Sequence, residues 1–286
     1  MILKLDYFVG KLYLLVPLLL VGCNSYWKPT VETTWQWQLE GPLNISYDVD
    51  AYNVDLFDTP TSSFQQLHSQ GKKVICYFSA GSLENWREDK SLFNTLPLGA
   101  SLSGWPGETW LDIRDKRVWA IMAKRLDYAT LKGCDAIEPD NIDGYANMSG
   151  FPLTYRDQLL YNRYLASEAH KRGLAIGLKN DLDQVIDLVD YFDFAINEQC
   201  LEYNECDVLT VFVNQGKPVF HVEYPKNNII LDESESTNLW QNKDILSYIE
   251  VCRNLEHYGF QSLLLPKDLD DEFRFDCNNL TKKPNI

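Results

Sequence analysis

The chain has 286 residues, with 26 Lys and Arg against 41 Asp and Glu and a formal net charge of −15. That length supplies one large domain or two small ones, and 45% hydrophobic against 23% charged residues excludes intrinsic disorder as the main description. The acidity repels phosphate, which argues against a nucleic-acid partner and suits a cationic or neutral one.

In chain order, residues 1–22 read as an export signal. Lys4 and Lys11 make a basic start, and the apolar run from Leu12 to Val21 falls short of the roughly 20 residues a membrane span needs. It closes on Leu20-Val21-Gly22-Cys23, which resembles a bacterial lipobox. Cys23 is therefore the expected lipidation site, and the expected location is a bacterial cell envelope or the medium outside it. Membrane contact is expected only through that lipid. Residues 23–34 are polar and read as a tether, and residues 35–286 as one domain. Six cysteines remain, an even number that permits disulfides in an exported chain. Cys200 with Cys206 and Cys252 with Cys277 are the expected pairs. Cys76 and Cys134 sit in apolar strand-like runs and read as buried thiols.

Eight β-rich runs follow: Tyr52–Phe57, Val74–Ser79, Thr109–Ile113, Cys134–Pro139, Leu174–Leu178, Phe192–Asn197, Pro218–Val222 and Gln261–Leu265. Helical patterns lie between them, at Arg117–Leu131 and Tyr155–Lys171 (each followed by a glycine), Asp181–Val189 and Ile245–His257. This alternation predicts an α/β fold, a single-domain (β/α)8 TIM-like barrel. The competing doubly wound sheet wants a Gly-rich loop after the first strand, and Asp55-Leu56-Phe57-Asp58 is not one.

Most of the runs begin apolar and end polar, at the end where such barrels keep their sites. The polar ends carry Asp55; Tyr77; Asp112 and Arg114; Glu138, Asp140, Asn141, Asp143 and Tyr145; Lys179; Asn197 and Glu198; Glu223 and Tyr224. The four histidines lack metal-ligand spacing, so neither a metal nor another cofactor is expected. A Gly-x-Ser-x-Gly elbow is missing too. What remains is chemistry run by two carboxylic acids, as in glycoside hydrolysis, with aromatic rings such as Trp86, Trp105, Trp110 and Tyr203 available to stack on sugars.

The segments Val74–Ser82, Trp110–Arg114, Glu138–Tyr145, Gly177–Asn180, Asn197–Cys200, Tyr203–Cys206 and Glu223-Tyr224 together resemble glycoside hydrolase family 114, over about Trp35 to Leu265. The resemblance implies a TIM-like barrel and endo-α-1,4-polygalactosaminidase activity on a (1→4)-linked galactosamine polymer. It also implies Asp140 as nucleophile and Glu198 as acid/base.

The residue chemistry runs the same way. Asp140 and Glu198 end alternate strands and can face each other, and Glu138 shares the Asp140 face. Lys179 is expected to pair with Asp140 and leave Glu198 protonated. The remaining polar residues are expected to bind substrate, with Asp55, Asp112, Asp143 and Glu223 holding ammonium groups of a cationic amino-sugar polymer. Two rivals are a non-catalytic glycan-binding envelope lipoprotein on the same barrel and a Schiff-base enzyme using Lys179.

Overall fold

The computed structural model describes residues 26–225 and 243–279. The export signal and Cys23 lie outside them. Residues 26–34 of the expected tether are described and lie against the barrel: the Tyr26 hydroxyl donates to Asp193 Oδ1 at 3.1 Å, and its ring stacks on His170.

The strands in chain order are β1 (Trp35–Gln38), β2 (Ala51–Asp55), β3 (Lys73–Ser79), β4 (Ser82–Glu84), β5 (Leu98–Ser101), β6 (Glu108–Leu111), β7 (Ala136–Asp140), β8 (Ala175–Lys179), β9 (Phe194–Glu198), β10 (Val219–Glu223), β11 (Gln261–Leu264) and β12 (Phe275–Asp276). The helices are α1 (Thr61–Ser69), α2 (Lys116–Lys132), α3 (Tyr155–Lys171), α4 (Val185–Leu188), α5 (Thr210–Asn214) and α6 (Lys243–Leu255).

Strands β1, β2, β3, β7, β8, β9, β10 and β11 form a curled parallel sheet in that order, the arrangement expected of a TIM-type barrel. Strand β12 adds an antiparallel edge to β11. Side chains and loops bring β1 to that edge: the Trp35 indole donates to the Gln261 carbonyl at 2.9 Å, and Arg274 Nη2 donates to the Trp35 carbonyl at 3.0 Å.

The eight expected strands differ from these eight by one omission and one wrong inclusion. Trp35–Gln38 is the missed first strand, too short to announce itself. Thr109–Ile113 is no barrel strand; its first part lies in β6, the middle of an antiparallel β4-β6-β5 sheet inserted between β3 and α2. β propensity reports a half-buried pleated surface and not the sheet that supplies it.

The inward face of each barrel strand follows the two-residue period of a pleat. It runs Ala136, Glu138, Asp140 on β7; Ala175, Gly177, Lys179 on β8; and Phe194, Ile196, Glu198 on β9. The apolar members meet Trp35, Trp37, Ile75 and Phe220 in the barrel interior, and a larger core packs the outer face against the helices. Gly177 is required by this packing, because a Cβ there would stand 2.3 Å from the Phe194 ring.

Three disulfides are present: Cys200–Cys206, Cys252–Cys277 and Cys76–Cys134. The last corrects the expected buried thiols. Strands β3 and β7 are neighbours in the sheet, so the approach to β7 passes Cys76 although 58 residues separate the pair in sequence.

Candidate active site

Three consecutive strands end on inward charges: Asp140 on β7, Lys179 on β8 and Glu198 on β9. Lys179 Nζ lies 3.1 Å from Asp140 Oδ1, 3.1 Å from Glu198 Oε2 and 3.2 Å from Glu138 Oε1. The ammonium donates a hydrogen bond to Asp140 Oδ1 and stands in ion-pair distance of the other two. The Asp140 and Glu198 oxygens that share it are therefore no farther apart than twice 3.1 Å. Lys179 and Glu138 are buried, whereas the Asp140 and Glu198 side chains are 20% and 26% exposed and reach solvent.

Burial pulls the Lys179 pKa down, but Asp140, Glu198 and Glu138 together outweigh it and hold the ammonium well above its ordinary value. A Schiff-base lysine must present a neutral amine, so this geometry disfavours that rival. Lys179 pairs with Asp140 as expected, and Glu198 Oε2 stands at the same distance from it. Burial lifts Glu138 to about 8, with Lys179 opposing and Asp140 adding to the rise, so it is mostly neutral at pH 7. Asn53 Nδ2 donates to its Oε2.

Each exposed carboxylate has its own tyrosine. The Tyr77 hydroxyl donates to Asp140 Oδ2 at 3.2 Å, and the Tyr224 hydroxyl donates to Glu198 Oε1. Burial first, then the neighbouring carboxylate, lifts both phenols well above their ordinary range, so both stay donors. The residues directly after Asp140, Lys179 and Glu198 are all left-handed: Asn141 has φ 59°, Asn180 φ 48° and Gln199 φ 62°. Three non-glycine residues so placed mark a rim whose backbone is held by its surroundings.

The site opens into a cleft of about 340 Å³. Trp37, Tyr77, Asp140, Asn141, Lys179, Glu198 and Tyr224 line it from the barrel; Leu102, Trp105, Glu108 and Trp110 line it from the inserted sheet and its loop. A second hollow of about 350 Å³ is lined by Tyr145, Asp181, Asp183, Tyr203 and Glu205. Asp143, Asn180, Glu198 and Gln199 line both, so Glu198 stands at the junction while Asp140 lines only the main cleft. Burial and then Asp140 lift Asp143 to about 6; burial and then Asp143 lift Asp181 to about 9.

Among the expected site residues, Asp140, Glu198, Lys179, Tyr77, Asn141, Asp143 and Tyr224 meet at the main cleft, and Tyr145 and Tyr203 at the second hollow. Glu138 lies beneath, sealed from solvent. Five others are placed elsewhere. Asp55 is bound by Arg87 through two nitrogens at 3.0 and 2.6 Å and accepts the backbone N–H groups of Phe57 and Asp58. Asp112 grips Arg114 at 2.8 Å in the turn before α2, where Arg114 also ends up, because their segment belongs to the inserted sheet. Asn197 and Glu223 have the wrong parity: Glu198 and Tyr224 point inward, so the preceding residue points outward. Asn197 Nδ2 donates to Asn180 Oδ1, and Glu223 accepts the Leu201 N–H and lies 3.0 Å from His221 Nε2.

Sequence reasoning missed Trp37 and Asn53, whose signal is the alternation of β1 and β2, and Glu108. It also passed over Asn180 and Gln199, which stand next to Lys179 and Glu198.

The profile of glycoside-hydrolase family GH114 matches residues 20–281. The solved structure of Aspergillus fumigatus Ega3 in complex with galactosamine is 40% identical with a TM-score of 0.77, covering 88% of this chain and 98% of that one. The glycoside hydrolase domain of PelA from Pseudomonas aeruginosa is 14% identical with a TM-score of 0.61, covering 83% of this chain and 96% of that one, a likeness of fold. No curated protein sequence matches.

Proposed function

We propose that this chain, which belongs to glycoside-hydrolase family GH114 and is a glycosidase, hydrolyses α-1,4-linked galactosamine polymers with retention of configuration. One observation carries the reading. Asp140 and Glu198 present oxygens bound to one ammonium at 3.1 Å each, at the floor of an open cleft. The ceiling this sets applies to those two oxygens, and it admits the about 5–5.5 Å separation of retaining carboxyl pairs.

Position divides the roles. Glu198 at the junction of the two hollows meets the glycosidic oxygen, protonates it as the bond breaks, and later takes a proton from water. Asp140 attacks the anomeric carbon of the sugar in the main cleft and forms the glycosyl-enzyme bond that the water then cleaves. Lys179 keeps the two carboxylates together through both steps. The nearby carboxylates Asp143, Asp183 and Glu205 suit ammonium groups along the chain, and Trp105, Tyr145 and Tyr203 suit sugar faces. Galactosamine bound in the Ega3 structure supports that substrate class. Three disulfides and the apolar run before Cys23 support export, with Cys23 as lipid anchor.

Incubation with defined galactosamine oligomers, followed by mass spectrometry of the products, tests the reading. Shortened oligomers are expected from the native chain and none from Asp140→Asn or Glu198→Gln. Intact oligomers after exposure to the native chain would overturn it.

A further inference from the structure

The inserted sheet reaches the catalytic rim through a line of buried hydroxyls that the two-carboxylate chemistry leaves unused. Glu108 on β6 lines the main cleft and is 4% exposed. Ser82 Oγ donates to Glu108 Oε2 at 2.5 Å, and Ser79 Oγ stands 2.6 Å from Ser82 Oγ. Asn141 Nδ2 donates to Ser79 Oγ at 2.9 Å, and the Ser82 N–H donates to the same oxygen at 3.1 Å. The backbone N–H of Asn141 donates to Asp140 Oδ1 at 2.8 Å. Its carbonyl is wedged against Gly81, where an added Cβ would stand 1.6 Å from that oxygen.

The line has one direction. Asn141 and the Ser82 N–H fill both lone pairs of Ser79 Oγ, so the Ser79 hydroxyl must donate, and Ser82 Oγ is its acceptor. The Ser82 hydroxyl then donates to Glu108. Along the side chains, every hydrogen points from Asn141 toward Glu108.

We propose that Glu108 is a positioning residue: through Ser82 and Ser79 it locks Asn141, and with it the Asp140 carboxylate, for attack on the sugar. This rests on the reading of Asp140 as nucleophile. An ionised Glu108 anchors the line with a charge-assisted hydrogen bond, and protonation replaces that bond with a weaker one. The groups facing Glu108 are Glu84 on β4, Arg87 after it, Tyr77 on β3 and Asp140 on β7. Burial, with Glu84 and Asp140 adding and Ser82 and Arg87 opposing, lifts Glu108 to about 7. The anchor therefore loosens as pH falls through neutrality.

Glu108→Gln and Ser82→Ala, each checked for folding by thermal melting, test the proposal on galactosamine oligomers and by ¹⁵N NMR of the Asn141 amides. Each variant is expected to lower kcat about 10–100-fold, the cost of a misplaced reacting group. KM should stay within about twofold, and the double variant should be no worse than the worse single one. In the wild type the Asn141 amide signals and kcat should titrate together near pH 7, and Glu108→Gln should abolish both titrations. Unchanged kcat in both folded variants, or Asn141 signals indifferent to both, would overturn the proposal. A wild-type enzyme silent on the oligomers would remove Asp140 as nucleophile, while the Asn141 titration would still decide whether the line of hydroxyls exists.

Discussion

The two walls of the cleft are built by opposite means. On the barrel side, β7, β8 and β9 are parallel neighbours, and each delivers one charged side chain at its inward end. Their spacing follows from the sheet, so Asp140, Lys179 and Glu198 meet without any long connection. The other wall is the inserted β4-β6-β5 sheet and its loop, which carry Trp105, Glu108 and Trp110 over the same cleft. A buried ion network holds it down: Arg87 binds Asp55 of β2 at 2.6 Å and Glu84 of β4 at 2.7 Å, and Arg125 of α2 binds Asp89 at 2.8 Å. In the proposed reading the regular sheet supplies the reacting groups, and the excursion supplies recognition and support.

That contrast breaks first on the barrel side. Asp140→Asn and Glu198→Gln should each lower kcat by about 10²–10⁴-fold with the melting temperature retained, checked by reducing-end assay and calorimetry. Next comes Lys179→Met, which leaves Asp140, Glu198 and buried Glu138 without their shared cation. Breaking a buried ion pair costs about 3–5 kcal/mol, and denaturant unfolding should read a loss of that order together with loss of activity.

The same cluster sets a pH dependence of stability. Glu138 and Asp181 have folded values of about 8 and 9, above their ordinary 4.5 and 3.8. A raised carboxyl contributes stability that is complete below its unfolded value and lost as pH rises through the folded one. The stability these two groups contribute should therefore fall from about pH 4 to about pH 9 and level off above that, read by denaturant unfolding across this range, and Glu138→Gln and Asp181→Asn should each flatten part of that fall.

The inserted wall should respond more gently. Trp105→Ala is expected to raise KM by about two- to tenfold, the worth of one aromatic contact, with kcat nearly kept. Asp112→Ala, in the turn before α2, should leave both constants within about twofold, as an exposed ion pair allows. An Asp112→Ala effect as large as that of Trp105→Ala would put the turn in the site and blur the distinction.

The barrel wall was the legible one. Its strands carry long apolar runs that end abruptly in charge, so Glu138-Pro139-Asp140 and Asn197-Glu198 could be read as strand ends. Two errors there had one cause: Asn197 and Glu223 were grouped with their neighbours by proximity, although pleat parity turns them outward. The inserted sheet was not legible, because Thr109–Ile113 has the composition of a barrel strand and only its pairing with β4 and β5 says otherwise. Trp35–Gln38 was hidden for the complementary reason, since four residues of Trp and Gln make a strand only beside β2. The disulfide of Cys76 and Cys134 depended on the same sheet order.

The configuration of the first product tests the paired carboxylates most directly. Proton NMR of an α-1,4-linked galactosamine oligomer during cleavage resolves the new reducing end before it equilibrates. Attack by Asp140 and then by water from the opposite face, where the leaving oxygen stood, release the α-anomer first. Early appearance of the β-anomer would mean a single inversion, and Asp140 would not be the nucleophile.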